Sequence, residues 1–162
     1  MDGLMKGKRG LVMGVANDHS IAWGIARTLH EHGAELAFTY QGEAFGRRVK
    51  PLAEQVGAAL VLPCDVEDSA SVDATFAALA AAWGRLDFIV HAIGFSDKNE
   101  LKGLYADTSK ENFIRTMVIS CYSFTEIARK AAAMMDGAGT MLTLTYAGSV
   151  RFSSSSVGIE TM

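Results

Sequence analysis

"LVMGVANDHSIAWGIA", residues Leu11 to Ala26, passes from an apolar run through a polar break into a helical pattern. The apolar part, extended back to Arg9, predicts a strand over Arg9–Val15 that is buried on both faces. Ile21, Ile25 and Leu29 share one stripe, so a helix is expected over Ile21–His32 with that stripe inward. Gly33 follows it, where a left-handed residue is wanted to end a helix. Strand, short loop and helix in this order open a right-handed β-α-β unit. The loop has a single turn glycine, Gly14, which permits close approach of a ligand to the backbone. Ser20 stands just ahead of the helix, placed to cap it or to reach a phosphate oxygen. Ala22 and Gly24 are small enough for helix and strand to pack closely. The free N–H groups of the helix N-terminus favour an anion, and a pyrophosphate is the natural guest. The usual dinucleotide fingerprint has two more glycines, so an ordinary capped loop is the competing reading at this point.

The same alternation runs along the rest of the chain. Strands are expected over Ala34–Tyr40, Ala59–Val66, Arg85–Gly94 and Thr140–Tyr146. Between them lie helices over Glu43–Val56 (Phe45, Val49, Leu52 and Val56 inward, Arg47, Arg48 and Lys50 outward) and Ser69–Trp83 (Val72, Phe76, Leu79 and Trp83 aligned). Thr108 and Glu111 have capping-box spacing and open a long helix to about Met135, with Phe113, Met117, Phe124, Ala128 and Ala131 inward. Near-continuous apolar strands alternating with helices predict an α/β, Rossmann-like, doubly wound parallel sheet. The expected strand order is 3-2-1-4-5, with a ligand crevice at the carboxyl ends of strands 1 and 4.

Composition bounds the function. The 162 residues are 49% hydrophobic and 20% charged, with a net charge of −3, which fits one soluble domain. That charge gives no basic face for nucleic acid, and no apolar run approaches the ~18 residues needed to span a membrane. Lys6, Lys8 and Arg9 before "GLVMGVA" imitate a secretory signal, but Asn17, Asp18 and His19 break the run and no cleavage site follows. Cys64 and Cys121 suit two core thiols in a reducing cytoplasm rather than a disulfide framework. No metal site is expected, because His19, His30, His32 and His91 lack ligand spacing.

In a parallel sheet the other strand ends converge on the loop after strand 1. Gln41 ends the second strand and can hydrogen-bond ribose or adenine. Asp65–Val66 ends the third with a polar group and an apolar wall suited to an adenine ring; Asp65 reads equally well as a helix cap. Ala92–Gly94 ends the fourth with small residues, and "TYAGS" ends the fifth with Tyr146 at the rim.

The stretches "GVANDHSIAWGIA", "HGAELAFTYQ", "CDV", "HAIGF", "ISCYSF" and "LTLTYAGS" together resemble the bacterial NADH-dependent enoyl-acyl-carrier-protein reductases, divergent members of the short-chain dehydrogenase/reductase superfamily. The resemblance runs from about Lys6 to Arg151, and that family carries one loop glycine followed by Ser-Ile-Ala. It implies NADH as cofactor, with Gly14, Val15, Ser20 and Ile21 at the pyrophosphate, Gln41 on the adenosine side and Asp65–Val66 at the adenine. It sets Ala92, Ile93 and Gly94 along the ribose and nicotinamide, and Ser96 and Tyr146 toward the substrate, Tyr146 as the catalytic residue. Gln41 with no arginine immediately beside it favours NADH over NADPH, although Arg47 and Arg48 lie close in sequence. The implied reaction reduces a trans-2-enoyl thioester on acyl carrier protein in fatty acid biosynthesis, in the cytoplasm, by a homo-oligomer that is a tetramer in the intact family. Hydride reaches the β-carbon, and positioned donors must stabilise the enolate that forms on the thioester oxygen.

The sequence departs from that family after Arg151. Ser156 stands ten residues beyond Tyr146, where a second tyrosine donor is expected, and the family lysine's position falls past Met162. "FSSSSVGIETM" has neither helical nor strand periodicity and reads as a disordered tail over 152–162, leaving 1–151 as a dinucleotide-binding domain without the family's last strands. The chain by itself is therefore expected to be inactive. Another short-chain reductase acting on a ketone or hydroxyl is an alternative, which the one-glycine loop with Ser20–Ile21–Ala22 opposes. A non-catalytic NAD-binding or oligomer-interaction module is a further alternative, favoured by the missing donors. The uncharged segment "TMLTLTY" (Thr140–Tyr146), left as a sheet edge, predicts self-association.

Overall fold

The computed structural model describes residues 3–146; the expected tail over 152–162, with Arg151 and Ser156, lies outside the described residues. Five parallel strands form one sheet in the order β3-β2-β1-β4-β5, as the β-α-β pattern predicts. β1 (Arg9–Met13) is central, between β2 (Glu35–Tyr40) and β4 (Phe88–His91). β3 (Leu60–Pro63) flanks β2, and β5 (Thr140–Thr143) flanks β4. Leu11 stands opposite Ala37 and Ile89, and Val12 opposite Phe38 and Val90.

Alternation along each strand divides the core in two. Leu11, Met13, Ala37 and Ile89 face Val72, Phe76 and Leu79 of α3 (Ser69–Trp83), together with Ile119, Ile127 and Ala131. Val12, Phe38 and Val90 face Ala22, Trp23 and Ala26 of α1 (Ile21–Glu31) and Val49 and Leu52 of α2 (Gly42–Gln55). Each large apolar side chain buried in this way contributes about 1.5–3 kcal/mol, so burial on both faces accounts for the near-continuous apolar strands.

Four of the five strands end earlier than their expected runs, and β2 ends at Tyr40 as expected. β1 stops at Met13, β3 at Pro63, β4 at His91 and β5 at Thr143. Gly14–Val15, Cys64–Val66 and Ala92–Gly94 are therefore loops on the side where the winding reverses, tied to the strand ends by the Cys64 N–H donating to the Tyr40 carbonyl and the Ala92 N–H to the Met13 carbonyl. Gly33, at φ +94°, ends the first helical segment as expected.

Four helical expectations need correction. In α1 the sheet takes Ala22, Trp23 and Ala26; Ile21 is 67% exposed, and Ile25 and Leu29 pack only at the margin. A small-residue face lets the helix lie close to the strands, and one indole fills what a row of branched side chains would hold further away. The capping residue after the long loop is Ser109, not Thr108: its hydroxyl accepts from the Asn112 N–H, and the Glu100 carboxylate accepts from Ser109 Oγ and N–H.

The long helix that follows is broken into α4 (Lys110–Met117), a π-helical turn (Val118–Tyr122) and α5 (Ser123–Ala132). The wider π turn shifts the register, and α4 points Asn112 and Thr116 inward while Phe113 and Met117 are exposed. Ile119 and Ile127 are buried instead, and Cys121 on the π turn is exposed, so only Cys64 is a core thiol. Phe45 of α2 is likewise not core, because it faces the hollow described next.

Candidate functional site

The loops at the strand ends enclose a cavity of about 340 Å³. Gly14 and Val15 enter it from β1, Gln41 from β2, Asp65 and Val66 from β3, and Ala92, Ile93 and Gly94 from β4. The first of these controls the shape. Gly14 has φ +91°, and a Cβ added there would fall on the Ala92 carbonyl and 3.1 Å from the Ile93 nitrogen. Only glycine lets the β1 loop lie against the β4 loop at the head of the cavity.

The polar residues are held by specific bonds. Gln41 Nε2 donates to Asp65 Oδ2 at 3.1 Å, which joins the ends of β2 and β3. Asp65 Oδ1 accepts from the Glu67 N–H at 2.9 Å, and the Asp65 N–H donates to Ser71 Oγ. Asp65 is thus a turn residue facing the cavity; the cap of α3 is Asp68, which accepts from the Ala70 N–H.

Four singled-out residues stand outside the lining. Ser20 occupies the N-cap of α1, but its hydroxyl donates to the Asn17 carbonyl at 2.6 Å rather than capping. Ile21 points to solvent. Ser96 lies just past the lining residue Phe95, and its Oγ accepts from Asn112 Nδ2 and Thr116 Oγ1 at 3.2 Å each. Tyr146 is 58% exposed, three residues beyond β5, and does not line the cavity.

The sequence reading missed Phe45, Phe95, Arg115 and Ile119 as lining residues. Arg115 and Ile119 come from the helix after β4, where the apolar pattern pointed to Phe113 and Met117. No local signal marks an arginine as wall rather than solvated face. Arg115 donates twice to the Glu67 carboxylate, Nε to Oε1 at 2.9 Å and Nη2 to Oε2 at 2.8 Å, and its guanidinium lies 4.5 Å from the Phe95 ring centre. That carboxylate raises the guanidinium's already high pKa further. Neither Arg47 nor Arg48 lines this cavity; Arg48 borders a separate cleft with Asn17, His19 and Trp23.

Beneath the site the chemistry is quiet. Burial pushes the Cys64 thiol up; a hydrogen bond from Thr75 offsets part of this, and the Asp65 and Glu126 charges add to it. Burial thus disfavours the thiolate, the reactive form. His91 is buried at the end of β4, with Nε2 2.8 Å from Ser123 Oγ. The Ser123 hydroxyl gives its proton to the Ile119 carbonyl at 2.6 Å, so it accepts from His91, whose proton is on Nε2. Burial lowers the pKa of this imidazole, and its Nδ1 has no partner among the described residues.

A doubly wound parallel sheet with its cavity at the reversal of winding defines the protein as Rossmann-like, with a crevice at the switch point. A family model described as "Enoyl-(Acyl carrier protein) reductase" matches residues 14–158. An enoyl-[acyl-carrier-protein] reductase [NADH] of Rhizobium meliloti is 72% identical over 151 residues, covering 93% of this chain and 56% of that relative. The crystal structure of FabI from Candidatus Liberibacter asiaticus superposes with a TM-score of 0.91 at 59% identity, over 94% of this chain and 59% of that one. The enoyl-(acyl-carrier-protein) reductase of Anaplasma phagocytophilum, solved in complex with NAD, gives 0.89 at 56% identity, over 93% of this chain and 58% of its own. The chain belongs to the enoyl-acyl-carrier-protein reductase family, and it spans a little over half the length of these relatives.

Proposed function

We propose that this protein serves the NADH-dependent reduction of trans-2-enoyl-acyl-carrier-protein in fatty acid biosynthesis, with residues 1–151 as its dinucleotide-binding domain. The observation that carries the reading is the convergence of four strand ends on one cavity, with Gly14 letting the β1 and β4 loops meet at its head. That convergence fits a dinucleotide: a backbone without Cβ faces the pyrophosphate, polar groups at Gln41 and Asp65 meet adenosine, and Val66 forms an apolar wall for adenine. Ala92, Ile93 and Gly94 border the ribose and nicotinamide. Ser20 and Ile21, at the start of α1, contribute helix N-terminal N–H groups on the pyrophosphate side. When bound, NADH supplies a hydride for the β-carbon of the enoyl thioester.

The chain's own part is to bind, orient and stabilise charge. Ser96, braced by Asn112 and Thr116, holds the loop that borders substrate, and Tyr146 donates a hydrogen bond to the thioester oxygen. Each positioned donor of that kind is worth about 3–4 kcal/mol in the transition state. With Ser156 at the position of the second donor, the 162-residue polypeptide is expected to bind NADH without measurable turnover. NADH is preferred over NADPH because Arg48 faces a different cleft and, among the described residues, Arg115 is the one cation that lines the cavity. A cytoplasmic location and a homo-oligomeric state complete the reading; among the described residues no helix is long and apolar enough to cross a membrane.

Titration with NADH and with NADPH, followed by nicotinamide fluorescence, tests the proposal. Saturable binding of NADH, tighter than that of NADPH, supports it. A folded chain that leaves NADH fluorescence unchanged contradicts it.

A further inference from the structure

One lining group has no part in the reading above. The Glu67–Arg115–Phe95 set joins three separate segments: the loop after β3, helix α4 and the loop after β4. Val66 and Gly94, the immediate neighbours of Glu67 and Phe95, both line the cavity and follow β3 and β4, which flank β2 and β1 in the sheet. Arg115 itself lines the cavity, and its planar head is satisfied in two ways at once, by the forked carboxylate pair in its plane and by the aromatic ring across its face. Lysine could reproduce the charge but neither the fork nor the stack.

The pair is also open to water. Arg115 and Glu67 retain 52% and 30% of their side-chain exposure, so the link belongs to the weak, salt-screened class and can open and re-form readily. A permanent brace would be buried; a fastening that parts for a passing ligand would be half-solvated, as this one is.

We propose that Arg115 is a positioning residue of the dinucleotide site: by pairing with Glu67 and stacking on Phe95 it straps the β3 loop to the β4 loop across the cavity, and opening of this strap sets the rate at which the dinucleotide leaves. The proposal rests on the NADH-binding reading. It adds that residence time, rather than contact with the cofactor, is what this arginine controls.

The test is stopped-flow dissociation of NADH from the full chain and from the variants Arg115→Met, Arg115→Lys, Glu67→Gln and the Arg115→Met/Glu67→Gln double variant. Arg115→Met and Glu67→Gln each speed dissociation by about threefold to tenfold, the range of an exposed forked pair with a stacked cation. The double variant is no faster than the faster single one, because both changes cut the same link. Arg115→Lys behaves like Arg115→Met, since charge alone does not make the fork. Raising salt from about 0.05 M to about 1 M speeds dissociation from the parent but not from Arg115→Met, a response that a purely structural arginine would not give. Unchanged dissociation rates in the variants, additive effects in the double variant, or a salt response that survives Arg115→Met each overturn the strap. A parent chain that does not bind NADH overturns the dinucleotide reading, and the strap with it.

Discussion

Gly14 and His91 show how single residues decide what the site can be. At Gly14 both the positive φ and the space exclude a side chain, since a methyl would press on the Ala92 carbonyl. Gly14→Ala must push the β1 and β4 loops apart. It is expected to cost roughly 2 kcal/mol or more of stability by urea denaturation and to weaken NADH binding at least tenfold. His91 gives a pH dependence with a definite sign. Its pKa is lowered in the folded chain, whereas the unfolded chain titrates near the ordinary ~6.5. Above that value both states are neutral and the site has no effect. Below it the unfolded chain takes up a proton that the native chain refuses, so stability falls as pH drops, by up to about 1.4 kcal/mol per unit. Urea midpoints measured from about pH 8 down to about pH 5 should therefore decline below ~6.5, and His91→Gln should flatten that decline. The carboxylates act in a lower window. At Asp87 desolvation raises the pKa, but the Arg9 N–H, Lys8 and Arg85 outweigh it and hold the group below its usual range. Its stabilisation is lost only in stronger acid, as pH falls through that lowered value.

At the level of elements, the helix after β4 separates what pattern can reveal from what it cannot. The existence and order of strands and helices were legible, because an apolar run flanked by polar loops has few alternatives in an alternating chain. The inward face of α4 was not. Asn112 and Thr116 are buried on α4, as Ser123 and Glu126 are on α5, and hydrophobic periodicity cannot see a polar face. Asn112, Thr116 and Ser123 are satisfied by hydrogen bonds with Ser96, the Asp97 N–H and His91. The π turn adds a register shift that no helical template anticipates. The helix start was misplaced by one residue for a similar reason: Thr108 and Ser109 both have capping chemistry, and the choice depends on Glu100, nine residues away from Ser109. Ser109→Ala is accordingly expected to cost about 1 kcal/mol of stability. Thr108→Val should be neutral or mildly stabilising, because the Thr108 hydroxyl is buried with no partner among the described residues. Equal losses in thermal unfolding of the two variants would contradict this assignment.

For the whole molecule, topology does most of the work. A central β1 with crossovers to both sides puts the β1 and β4 loops beside each other, although about eighty residues separate Gly14 from Ala92. That long-range convergence was readable once the strand order was known, which is why the strand-end residues could be named in advance. Arg115 could not be, because its approach depends on how the π-broken helix packs. The outermost strands differ in exposure. β5 is paired on one side only among the described residues, and Leu142 within it and Leu144 just beyond it are exposed. Such an uncharged edge favours pairing with a second copy. Light scattering of the 162-residue polypeptide should show self-association that Leu142→Lys reduces; a monomer at high concentration would rule this out.

The central claim is that one cavity, built from four strand ends, holds the dinucleotide. Amide NMR spectra of the labelled chain during NADH addition test it most directly. The account predicts saturable shifts concentrated at Gly14, Gln41, Val66 and Gly94. Shifts centred instead on the Arg48 cleft, or none at all in a folded chain, would contradict it.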